Sequence, residues 1–85
     1  MNDEILRLKG QLADYERQLH KLYLAIDGDK NMIRIHLPAH VSDEELTSMK
    51  AELALESMTR LNENVTRAKK IEHNIREIKN ALGQD

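Results

Sequence analysis

Along the first third of the chain, apolar side chains recur at alternating steps of three and four: Ile5, Leu8, Leu12, Tyr15, Leu19, Leu22 and Ile26. That spacing lays one narrow stripe down a helix, fills every a and d position of a heptad, and favours coiled-coil packing. It predicts a helix over residues 3–27. Asn2 or Asp3 can cap its start, and Glu4 suits the positive end of the helix dipole. Gly10 falls on the outward face, where it costs about 1 kcal/mol of helix propensity and no packing. Gly28 follows the last stripe residue and reads as a left-handed cap. Asp27-Gly28-Asp29-Lys30-Asn31 then reads as a turn.

The period next falls to two. Ile33, Ile35 and Leu37 alternate with Met32, Arg34 and His36. Alternation with β-branched residues predicts a strand at about 32–37, ended by Pro38. A lone strand leaves its backbone N–H and C=O groups unpaired, so the expected partner is the same segment of a second molecule, the alternative being that the segment is an extended loop.

The second helix is expected over 42–82. Ser42 and Glu45 have the spacing of a capping box, Val41 and Leu46 that of a hydrophobic staple, and Asp43, Glu44 and Glu45 complement the dipole. Nothing interrupts the pattern before Gly83. Its apolar stripe drifts through Leu46, Met49, Leu53, Ala54, Met58, Leu61, Val65, Ala68, Ile71, Ile75, Ile78 and Leu82. Breaks after Leu53 and at Ala68–Ile71 predict two packing environments on one helix.

These pieces give one mainly α domain over residues 1–85: a long helical hairpin or coiled coil with one short central β-strand, paired across a dimer. A first helix of about 37 Å covers only about the first 25 residues of the second in an antiparallel hairpin. Ile71, Ile75, Ile78 and Leu82 then overhang. With Ile33, Ile35 and Leu37 they form the expected interface, since an uncovered apolar strip marks an association site and a thin two-helix core benefits from oligomerisation.

Composition narrows the chemistry. The chain has no cysteine, no Phe and no Trp, which removes thiolate catalysis, Cys-ligated metals and aromatic cages. No apolar run approaches the ~18 residues of a membrane span, so the expected location is the cytoplasm. Asp27, Asp29 and Asn31 imitate the start of a calcium loop, but Met32 stands where that loop needs Gly and Pro38 where it needs Glu. His36 and His40 have the four-residue spacing of a helical metal pair, yet Pro38 lies between them. No metal or cofactor is expected. No nucleophile–base pair, phosphate-binding Gly loop or paired carboxylate motif is present, so an enzyme is not expected.

Charge is unevenly placed. Residues 43–56 hold five acids and one base, and residues 57–85 six bases and four acids. Arg60, Arg67, Lys69, Lys70, Arg76 and Lys79 are the candidate nucleic-acid contacts, but Glu63, Glu72 and Glu77 interleave with them and the net charge is −2. Phosphate binding draws on clustered, uncompensated bases. The leading expectation is therefore a non-enzymatic interaction or assembly protein, a helical homo-oligomer serving as adaptor, scaffold, chaperone-like partner or inhibitor. It binds itself and another protein. A nucleic-acid-associated accessory factor is the alternative.

Overall fold

The computed structural model describes residues 2–38, 42–44 and 47–83. Two helices, α1 (Asn2–His36) and α2 (Ser48–Ala81), pack along one another as a helical hairpin. Cross-helix bonds from Tyr23 to Glu72 and between Asp29 and Asn64 set them antiparallel. The hairpin measures 65 × 19 × 14 Å, with a radius of gyration of 18.6 Å, against about 12 Å for a compact domain of this length. No helix is long and apolar enough to cross a membrane among the described residues.

The expected turn at 27–31 and strand at 32–37 are both absent: α1 runs unbroken through them to His36. The reason is register. The α1 stripe continues past Ile26 through Asp29, Ile33 and His36 at the same three–four steps, so a helix buries this segment as well as a strand would. It also satisfies the backbone groups that a lone strand leaves open. Gly28 is helical, and its missing Cβ faces open space. Pro38 does end the element, because it has no N–H to continue the helical ladder. The last turn closes with the Leu37 amide donating to the Ile33 carbonyl at 2.8 Å.

α2 begins later than residue 42. Asp43 and Glu44 lie in a turn, and Thr47 caps the helix, its hydroxyl accepting from the Lys50 amide at 3.2 Å. Val41, Glu45 and Leu46, the other members of the expected capping box and staple, lie outside the described residues, as does His40. At the far end Gly83 takes φ 75°, the left-handed conformation a side chain resists, and the Leu82 and Gly83 amides close back on Ile78 and Asn80.

The drifting stripe on α2 is also corrected. An uninterrupted three–four series of buried and half-buried positions runs Ala54, Ser57, Leu61, Asn64, Ala68, Ile71, Ile75, Ile78, Leu82, with Leu53, Val65, Glu72, Asn74 and Lys79 half-buried beside it. Tracking apolar residues alone slips the stripe sideways to Met58 and Val65, because Ser57 and Asn64 hold core places. Small side chains do much of the filling: Ala54, Ser57 and Ala68 are nearly inaccessible.

The longer α1 removes the overhang. Ile75 and Ile78 are buried within the chain, and Ile71 and Leu82 are half-buried. With Asn64 opposite Asp29, equal helical rise brings Gly83 level with Gly10. The projecting segment is thus the start of α1, where Ile5 and Leu6 are exposed.

Candidate functional site

Three features of the hairpin surface and core bear on function: a polar layer, two flanking grooves and an apolar loop end. The polar layer sits where α1 places Asp29 in the heptad and α2 places Ser57 and Asn64. Asp29 is 8% exposed, yet both carboxylate oxygens are engaged: Oδ1 accepts from Arg60 Nε at 3.2 Å and Oδ2 from Asn64 Nδ2 at 3.3 Å. Arg60 Nη2 also donates to Ser57 Oγ at 3.1 Å. Burying a carboxylate is costly unless it is paired and hydrogen-bonded. Here the cation reaches it from the rim, its side chain half in solvent. The arrangement ties α1 to α2 through polar side chains at core positions.

A second polar contact crosses the opposite flank. The Tyr23 hydroxyl donates to Glu72 Oε1 at 2.5 Å. That bond, reinforced by partial desolvation and by the carboxylate's negative charge, raises the tyrosine pKa above its ordinary 10.0. Tyr23 and Glu72 help line a groove between the helices there, floored by Ile26 and Ala68.

On the Arg60 flank lies a groove of about 420 Å³, floored by Leu22 and Ile71 and rimmed by Gln18, Lys21, Arg67 and Lys70. None of these three bases takes part in an ion pair or side-chain hydrogen bond among the described residues. The acids Glu56 and Glu63, farther up the same side of α2, are likewise uncommitted.

Exposed large apolar side chains concentrate near the loop. Met32, Ile35, Met49, Leu55 and Met58 are 39%, 67%, 71%, 64% and 43% exposed. His36 closes the core at this end, its Nε2 buried without a hydrogen-bond partner among the described residues.

The expected interface residues therefore separate. Ile35 is on the surface, Ile33 and Leu37 are half-buried at the loop end, and Ile71, Ile75, Ile78 and Leu82 belong to the seam between α1 and α2. The candidate nucleic-acid contacts also divide. Arg60 is engaged with Asp29, Arg67 and Lys70 rim one groove, Lys69 lines the other, and Arg76 and Lys79 continue toward the end of α2. Among the described residues no three His, Asp or Glu side chains converge as a metal site would require.

Asp29, Ser57 and Asn64 escape a reading that follows apolar residues. The signal that finds them is the seven-residue step from Ile26 to Ile33, matched by Ala54–Leu61–Ala68 on α2. Both steps hold the heptad open across the polar positions. No family model, curated protein or solved structure matches the chain.

Proposed function

We propose that the chain is a non-enzymatic assembly protein, a helical hairpin that self-associates and presents its surface to another protein. The observation that carries this reading is the group of exposed apolar side chains at the loop end, Met32, Ile35, Met49, Leu55 and Met58. Met32, Ile35 and Met49 lie on the Arg60 flank and Leu55 and Met58 on the other, and exposed apolar surface marks association sites. Methionine suits them, because its flexible thioether adapts to different partner shapes. The core supports the same reading: among the described residues its buried apolar members are Ile26, Ala54, Ala68, Ile75 and Ile78, a thin filling that benefits from a further layer. Sedimentation velocity over a hundredfold concentration range tests it. A concentration-dependent shift to a larger species is expected, and a monomer throughout overturns the self-association.

One observation favours a second reading, contact with nucleic acid: Lys21, Arg67 and Lys70 gather on one groove without ion-pair partners among the described residues. Fluorescence anisotropy with single-stranded and duplex DNA at two salt concentrations separates the two. Binding that falls steeply with salt supports nucleic-acid contact, and no binding at low salt removes it.

A further inference from the structure

On the Arg60 flank of α2, one strip of side chains repeats at helical spacing: Met49, Leu53, Glu56, Arg60, Glu63, Arg67 and Lys70. Residues three and four apart share a face, so this strip forms one edge of α2 beside the groove floored by Leu22 and Ile71. It runs from apolar, through alternating charge, to basic. Turned end for end, the strip complements itself. With a two-fold axis between Leu61 and Asn62, Glu56 comes level with Arg67 of a second copy and Glu63 with Arg60 of a second copy. Leu53 comes level with Lys70 of a second copy, at the mouth of its apolar-floored groove. The symmetry repeats each pairing, as an isologous interface requires.

From this complementarity we propose that two copies dock antiparallel, α2 against α2, along this strip, converting two hairpins into a four-helix bundle. The inference rests on the self-association proposed above and names its seam. Three observations carry it. Glu56, Glu63, Arg67 and Lys70 have no ion-pair partner among the described residues, although α1 uses comparable surface charges locally, as in the pairs of Arg7 with Glu4 and Lys30 with Asp27. Met32, Ile35 and Met49, exposed in the single chain, lie on the same flank and would be partly covered. The groove of about 420 Å³ offers space for an incoming Leu53. Arg60 keeps its bonds to Asp29 through Nε and to Ser57 through Nη2, leaving Nη1 for the second copy. Opposed charges fix orientation and register in such packing, and like charges disfavour it.

The geometry makes a mixing experiment decisive. Glu56→Lys alone sets two bases against each other twice in every dimer, and Arg67→Glu alone sets two acids against each other twice. In a one-to-one mixture, the Glu56→Lys chain and the Arg67→Glu chain satisfy both pairings. Sedimentation velocity is expected to show the wild type as a dimer, each single variant with a dissociation constant raised at least tenfold, and the mixture restored to near wild-type affinity. The double variant Glu56→Lys/Arg67→Glu is expected to recover as well. Circular dichroism of each single variant confirms that the hairpin remains helical. A wild type that stays monomeric overturns both this seam and the broader self-association. A dimeric wild type whose single variants associate unchanged overturns the seam alone and moves the contact to the opposite flank of α2, where Leu55, Met58 and Val65 lie. Weakened single variants that fail to recover on mixing overturn the antiparallel pairing.

Discussion

Asp29 and Asn64 face each other from core positions of α1 and α2, the Asn64 amide donating to the carboxylate at 3.3 Å. A polar pair in a heptad seam gives up stability that two leucines would supply. In exchange it penalises every slipped register, because a slip leaves the carboxylate buried against carbon. Asp29→Ala is expected to cost about 1–2 kcal/mol, since two hydrogen bonds are lost while the half-exposed Arg60 regains water. The double replacement Asp29→Leu/Asn64→Leu is expected to raise the urea midpoint and to lose uniqueness. Multiple sets of amide resonances in a heteronuclear correlation spectrum would reveal the loss of uniqueness, and a single sharp set would mean that other contacts fix the register.

Three glycines distinguish helix from turn. Gly10 and Gly28 lie inside α1, where an added Cβ meets nothing, whereas Gly83 sits at φ 75°. Gly10→Ala and Gly28→Ala are each expected to stabilise the chain by about 0.5–1 kcal/mol. Gly83→Ala is expected to destabilise it through left-handed strain. Equilibrium denaturation decides the matter. Destabilisation by Gly28→Ala would restore the turn at 27–31.

Thr47 replaces Ser42 as the cap of α2. Thr47→Ala is expected to cost about 1 kcal/mol, seen as a lower urea midpoint at unchanged slope. An unaltered midpoint would place the start of α2 elsewhere.

The bond from Tyr23 to Glu72 carries a pH dependence whose sign follows from the raised tyrosine pKa. The folded chain holds the phenol proton more tightly than the unfolded chain. The contribution is therefore fully present below the ordinary tyrosine value of 10.0 and disappears as pH rises through the higher folded value. The urea midpoint of Tyr23→Phe is expected to lie below that of the wild type at neutral pH and to converge with it in strong alkali. The contact is solvent-exposed, so the gap is small. A gap that stays constant into alkali would assign the effect to packing.

Ile75 and Ile78 belong to the core of one hairpin. Ile75→Asp/Ile78→Asp is therefore expected to unfold the chain at every concentration, since two buried carboxylates would lack partners. Helicity measured by circular dichroism across a dilution series checks this. Helicity recovered at high concentration would place the two residues between chains.

The two-helix hairpin is legible from the stripe of Ile5 to Ile26 and from the apolar end of α2, because there every core position carries hydrocarbon. The reading fails where the core is polar. Asp27-Gly28-Asp29 has the chemistry of a turn, and only the partners Arg60 and Asn64, distant in sequence, make helix the better solution. The start of α2 is misjudged for a local reason. Ser42 and Thr47 both offer a capping hydroxyl, and no rule of nearest neighbours ranks them. The candidate site was half visible: the bases of α2 stand out in the sequence, but their grouping with Lys21 depends on the antiparallel register.

Antiparallel pairing also determines how the hairpin bears load. Its described ends, Asn2 and Gly83, lie toward the same pole, with the loop at the other. Tension applied between those ends peels α1 from α2 one heptad at a time, so each layer meets the force alone. The Leu82 and Ile78 layers open first, and the Asp29 cluster near the loop yields late. Tension between the loop and either end instead runs along a helix axis and leaves the seam largely unstrained. The same 65 Å rod is therefore a weak clasp in one direction and a stiff strut in the other.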